Sequence, residues 1–235
     1  MTAVLPPPRT PVGLLRPRCL TRVEDGERLH ALLWVPGPGL RMISSAVLGG
    51  GIGERAWVLN AQVSHGYRRT DPDRHLAVLA SGAGARGPGV GLMTAADVSA
   101  YAHAHDGGAE AVVTSGIEVR GWAAAPAADT ADTPDTAGTD GSVAPGTINI
   151  VVAVPVPLSD AALVNAVATA TEAKVQALLE AGHDCSGTPT DAVCVAARVP
   201  RPGEQPQAFA GPRSLWGARL ARAVHRAVRE ATPAS

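Results

Sequence analysis

The sequence predicts a single layered mixed α/β domain, and three observations predict it. Short apolar runs rich in Val, Leu and Ile recur along the 235 residues at strand length. Longer segments with helical spacing and capping residues lie between them. Hydrophobic residues make up 46% of the chain, enough for a core, and interleaved strands and helices bury such a core in layers. Aromatics are only 3%, so that core is built from Ala, Val and Leu. The pattern does not determine the sheet order.

Residues 1–18 read as a flexible Pro/Arg-rich lead-in, with residues 19–235 as the domain. Met1–Gly13 holds three consecutive prolines and no apolar segment, so it does not read as a signal peptide. Leu29–Val35, Arg55–Val63 and Leu76–Ala80 read as strands. Thr94–His105 is predicted as a helix, with Thr94 as N-cap and Asp97 at the capping-box position. Ala111–Thr114 and Ile148–Val154 are further strands. Residues 123–145 turn Ala/Thr/Asp/Gly/Pro-rich and carry Asp129, Asp132, Asp135 and Asp140 without a cation, the composition of a flexible surface insertion. Ser159–Leu179 is a helix with an N-cap serine and Gly182 beyond its end. Asp191–Ala197 is the last strand. Ser214–Arg229 is an amphipathic helix, with Trp216, Leu220, Ala223, Val224, Ala227 and Val228 on one face. Arg219, Arg222, Arg226 and Arg229 lie mostly on the other, as a solvated stripe.

Composition excludes several functions. A formal net charge of −1 argues against nucleic acid or an acidic membrane as partner. No apolar stretch reaches the length of a membrane span. Cys19, Cys185 and Cys194 are odd in number and lack C-x-x-C spacing, which fits a reduced, cytoplasmic setting rather than a disulfide framework. A homo-oligomer is compatible with all of this. Gly82-Ala83-Gly84-Ala85-Arg86-Gly87 matches G-x-G-x-x-G, but Pro88-Gly89 follows where a pyrophosphate would need a helix N-terminus. No P-loop is present. Asp71, Asp73 and His75 with His65, and His103-Ala104-His105-Asp106, lack standard zinc spacing, and His103 and His105 would face apart on a helix.

The most informative residue is Lys174. Of 20 cationic residues, 19 are arginine and this one is lysine. Lysine is a compact charge whose pKa moves readily on burial. At about 100° per residue, Lys174 falls on the apolar side of its helix with Leu163, Val167 and Leu178. It either reaches along a groove to water or a carboxylate, or puts an ammonium into a pocket wall. Glu172 cannot share its face. Hydroxyls gather near element ends at Ser44-Ser45, Thr94, Thr114-Ser115 and Thr188-Pro189-Thr190-Asp191, and the last places a carboxylate beside two of them.

Taken in order, these runs resemble the adenosylcobinamide amidohydrolase family from about residue 30 to 230. The segments are Ser44-Ser45-Ala46 with its Gly-rich turn, Asn60-x-x-Val63, Asp71-Pro72 with His75-Leu76, Val90-Gly91-Leu92-Met93-Thr94-Ala95-Ala96 and Gly146-Thr147-Ile148-Asn149-Ile150. Thr169-Ala170-Thr171-Glu172-Ala173-Lys174, Gly187-Thr188-Pro189-Thr190-Asp191 and Ala210-Gly211-x-x-Ser214-x-x-Gly217 follow. The run after Thr114-Ser115-Gly116 lacks the family's usual Asn, Pro189 stands where a second glycine is expected, and the Asp-rich insertion is unusual.

The resemblance implies an enzyme that hydrolyses the amide joining aminopropanol to the corrin ring, releasing cobyric acid for cobalamin salvage. The corrinoid is then the substrate, with no cofactor and no resident metal. The inward position of Lys174 beside the Ser and Thr hydroxyls gives the catalytic set expected for that reaction: Lys174, Glu172, Thr188, Thr190 and Asp191. Lys174 would assist a hydroxyl (Thr188, Thr190 or Ser45) or a water, and Glu172 or Asp191 would act as general acid/base. Asn149 or a glycine N–H would serve the oxyanion. Ser44, Ser45, Asn60, Met93, Thr94, Thr147 and Asn149 are the implied substrate contacts. A metal-activated water is the mechanistic alternative, and a non-catalytic corrinoid-binding module the functional one.

Overall fold

The computed structural model describes residues 13–125 and 146–234. Most of the expected lead-in and insertion lie outside the described residues. Strands β1 (Arg18–Glu24) and β2 (Glu27–Trp34) pair antiparallel around Asp25-Gly26. Both turn residues have positive φ, 51° and 83°, the backbone twist that two-residue hairpin loops need. After β3 (Leu40–Ser44) and β4 (Gly51–Glu54), β5 (Trp57–Gln62) pairs antiparallel with β2. Helix α1 (Pro72–Gly82) carries the chain to β6 (Gly89–Thr94), parallel to β5, and completes a four-stranded sheet of order β1-β2-β5-β6.

The second sheet has six strands. Its members β7 (Ala102–Asp106), β8 (Ala109–Gly116), β9 (Thr147–Val154) and β10 (Ala192–Arg198) join β3 and β4 in the order β4-β3-β10-β9-β8-β7. Within it β9 and β10 run parallel, linked by α2 (Asp160–Glu180), and α3 (Leu215–Ala231) closes the chain.

Side-chain alternation stacks these elements into four layers. Val113, Ile148, Ile150, Val152, Val193 and Val195 pack with the inner faces of α2 and α3. Their neighbours Val112, Val151, Ala153, Cys194 and Ala196 face the other way and pack with Leu32, Trp34, Val58, Val90 and Leu92 of the four-stranded sheet. The far side of that sheet (Leu33, Leu59, Ala61) is covered by Leu76 and Ala80 of α1. A strand's period of two makes this double burial possible. The low aromatic content is met by small residues at close range: Ala162, Ala166, Ala170, Ala173 and Ala177 form the buried stripe of α2.

Two elements differ from the sequence expectation. Leu76–Ala80 is not a strand but part of α1, which buries Leu76 and Ala80 and has Pro72 in its first turn, where the missing N–H has no partner to lose. An apolar run of that length does not distinguish the two conformations. The G-x-G-x-x-G match therefore follows a helix, which removes the strand-to-helix context a dinucleotide site requires. Thr94–His105 is not a helix. Asp97 does cap, accepting from Ser99 N at 2.8 Å, but only a short 3-10 turn, Val98–Ala100. Beyond it Ala102 and Ala104 are buried while His103 and His105 are exposed, the alternation of a strand. The two histidines thus share one face instead of facing apart. Ser159 caps α2 as expected, accepting from Ala162 N at 3.1 Å, and Ser214 caps α3 in the same way, accepting from Gly217 N at 3.1 Å. The basic stripe of α3 pairs locally: Arg222 and Arg226 reach Asp106, and Arg229 reaches Glu180.

Candidate active site

Lys174 projects from the inner face of α2, 7% exposed, and its ammonium pairs with Asp191 Oδ2. Of the two dispositions open in the sequence, it reaches a carboxylate. Asp191 stands just ahead of β10 and collects four donors. Oδ1 accepts from Ile148 N at 2.9 Å and Thr188 Oγ1 at 2.5 Å, while Oδ2 takes Thr188 N at 3.2 Å besides the lysine. These four bonds fix the position of the carboxylate against its own loop. Gly187 makes the arrangement possible. Its φ is +153°, and a Cβ there would collide with Asp191 Oδ2 and Lys174 Nζ. Backbone bonds fasten the loop from outside: Gly121 N donates to Gly187 O at 3.0 Å, and Ser186 N to Gly121 O at 2.9 Å.

Thr190 joins a neighbouring contact. Its Oγ1 lies 2.6 Å from Thr147 Oγ1 on β9 and 3.2 Å from Gly146 O. Ser44 and Ser45 grip the backbone of Val193: Ser44 Oγ donates to its carbonyl at 3.0 Å, and Ser45 Oγ accepts from its N–H at 3.1 Å. Among the described residues neither serine hydroxyl bonds a general base. Glu172 is not brought in. It is exposed, about 200° around the helix from Lys174.

A second polar group crosses the interface between the sheets. Asn60 on β5 donates to Thr114 Oγ1 on β8 at 2.9 Å, and Asn149 on β9 donates to Asn60 Oδ1 at 2.9 Å and to Met93 O at 3.0 Å. Asn149, expected as an oxyanion donor, thus has both N–H bonds committed. What it leaves over is an acceptor, Oδ1, buried without a partner among the described residues, in a residue 1% exposed. Flipping the amide would set its oxygen against two acceptor oxygens, so this orientation is the one the contacts allow. Met93 contributes its carbonyl, its side chain packing on the α1 side, and Thr94 Oγ1 accepts from Ala96 N at 3.0 Å. The amide pair as a unit was not visible in sequence. Its signal was one Asn in each of two apolar strands, at a parity that faces the other sheet.

Other groups can be set aside. Burial pushes the Cys185 thiol up despite the nearby Lys174 and Arg120, which keeps it from acting as a thiolate. Among the described residues no group of three or more His, Cys, Asp and Glu is placed to hold a metal ion. Asp71 pairs with Arg69, and His103 bonds Glu110, whose carboxylate also takes the N–H groups of Leu14 and Leu15.

The fold and this polar end define a mixed α/β protein with a buried Lys–Asp–Thr cluster beside an inter-sheet amide network. Residues 16–235 match the family described as adenosylcobinamide amidohydrolase, and the chain belongs to that family. An adenosylcobinamide amidohydrolase of Methanosarcina mazei is 32% identical over 152 residues, 65% of this chain and 67% of the relative. One of Halobacterium salinarum is 44% identical over 85 residues, 36% of this chain and 35% of the relative. The crystal structure of the PH0078 protein from Pyrococcus horikoshii OT3 covers 91% of this chain and 81% of its own at 11% identity and a TM-score of 0.47, too distant for any residue to be carried across.

Proposed function

We propose that this chain hydrolyses the amide joining aminopropanol to the corrin ring of adenosylcobinamide, releasing adenosylcobyric acid for cobalamin salvage. The observation that carries the reading is the continuity of the family match over residues 16–235, which spans every described strand and helix. Residues 19–235 are the catalytic unit in this reading, the corrinoid is its substrate, and no cofactor takes part. The three thiols are free, in keeping with a cytoplasmic reaction.

The same reading gives the polar end of the sandwich the work of holding the substrate. Lys174, Thr188 and Asp191 stiffen the loop from Gly187, and Thr190 with Thr147 fixes its far end. Ser44 and Ser45 hold β10 beside it, and Asn60, Met93, Thr94 and Asn149 form the adjoining wall. Because Asp191 already takes four donors, it acts by ordering this wall and not by moving protons.

The test is incubation of purified protein with adenosylcobinamide and analysis by mass. Adenosylcobyric acid and free aminopropanol are the expected products, and the Lys174→Met protein should fold yet lose that release. An intact linker after prolonged exposure would overturn the reading.

A further inference from the structure

A different cluster carries the features of a proton-transfer centre. Just past the end of β5 the chain turns through Ser64–Arg69 and enters α1, whose His75 is 4% exposed. His75 Nε2 lies 3.0 Å from Glu24 Oε1, and its Nδ1 lies 3.1 Å from Tyr67 Oη. A carboxylate only accepts, so Nε2 bears the proton and Nδ1 is the bare acceptor into which the Tyr67 hydroxyl donates. The result is a hydroxyl–imidazole–carboxylate chain, a base oriented from behind by a third group. Its outer end is open: Glu24, Asp25, Leu29, Ser64, Tyr67 and Arg69 line a cleft of about 340 Å³. That volume suits the linker arm of a large ligand and not a macrocycle. The cleft follows the C-terminal end of a strand in a parallel β-α-β unit, where reacting groups in α/β sheets gather. Its rim is tied to the strand ends that carry the Asn60–Asn149 contact: Val63 N, next to Ser64, donates to Thr94 O at 2.8 Å, and Asn149 donates to Met93 O at 3.0 Å.

We infer that Tyr67, His75 and Glu24 form the proton-transfer centre of the amide hydrolysis, with Tyr67 as the catalytic residue that meets the linker; the inference rests on the function proposed above. Water adds to the amide carbon, and its proton passes to Tyr67 Oη as Tyr67 gives its own to His75 Nδ1. The imidazolium so formed is paired with Glu24. When the C–N bond breaks, both transfers run in reverse and protonate the amine nitrogen. Water is consumed, and one carboxylic acid and one amine leave. Burial raises the Tyr67 pKa, so it acts as a relaying hydroxyl and not as a standing phenolate. Burial lowers that of His75, against the pull of Glu24, so the ring is neutral and able to accept.

Tyr67→Phe keeps the ring and removes only the relay oxygen. The folded variant should lose about 100-fold in kcat with KM little changed, the scale of general acid–base catalysis. His75 and Glu24 act through Tyr67, and a pH profile reports them. The charged groups around His75 are Glu24 and Arg22 of β1 and Arg69 and Asp71 ahead of α1. Glu24→Gln removes the group that favours the imidazolium, so the acid limb of kcat/KM should move to lower pH. A folded Tyr67→Phe protein within threefold of the parent kcat, or an acid limb unmoved in Glu24→Gln, overturns the inference and leaves the amidohydrolase reading standing. A parent protein that leaves adenosylcobinamide intact overturns both.

Discussion

Lys174 and Asp191 form an ion pair that leaves only 9% and 13% of the two side chains exposed. The two members are not equivalent. Asp191 keeps three donors, Ile148 N and both groups of Thr188, when the lysine is removed. Among the described residues the Lys174 ammonium has Asp191 as its one bonded partner.

From that asymmetry, Asp191→Ala should cost about 3–5 kcal/mol, the scale for stranding a buried charge. Lys174→Met removes one hydrogen bond to a charged group and should cost about 1.5–3 kcal/mol. Urea unfolding of both variants beside the parent decides the matter. Equal losses would mean that the carboxylate's other donors contribute nothing.

The amides of Asn60 and Asn149 should be energetically coupled. Asn149→Leu strands Asn60 Oδ1, and Asn60→Leu strands one N–H of Asn149 and the acceptor side of Thr114. Each change leaves a buried polar atom unmet, at about 1–3 kcal/mol. Replacing both removes the two halves of the bond together, so the double variant should lose less than the sum. A double-mutant cycle by chemical denaturation reads the difference directly, and strict additivity would show that the contact carries no stability.

Much of this layout was legible in the chain. The apolar runs Ile148–Val154 and Asp191–Ala197 and the capped run from Ser159 marked two strands and the helix between them, and the helical spacing turned Lys174 inward without naming its partner. What was illegible depended on contacts between distant segments. Leu76–Ala80 reads equally as strand or helix until the other sheet face is known. Ala102–Asp106 looks helical in composition because alanine suits both, and only burial of Ala102 and Ala104 against α3's layer reveals the strand. Gly187 is unremarkable in sequence, because its importance lies in the atoms that a Cβ would strike. Tyr67 and Glu24 meet at His75 from three separate elements, and no local spacing brings them together.

The three thiols should separate cleanly by reactivity. Cys19 is exposed on edge strand β1, whereas Cys185 and Cys194 are buried. Burial pushes Cys194 up to about 12 and raises Cys185 as well, and only a thiolate attacks a disulfide reagent. Titration of the native protein with an aromatic disulfide at pH 8 should therefore release one equivalent promptly, with two more only in denaturant. Cys19→Ser should abolish the prompt phase without changing the slow one. A second prompt equivalent in the native protein would mean that the segment carrying Cys185 opens on the timescale of the assay. The Gly121–Gly187 backbone bridge that fastens the Lys174–Asp191 loop would then open with it.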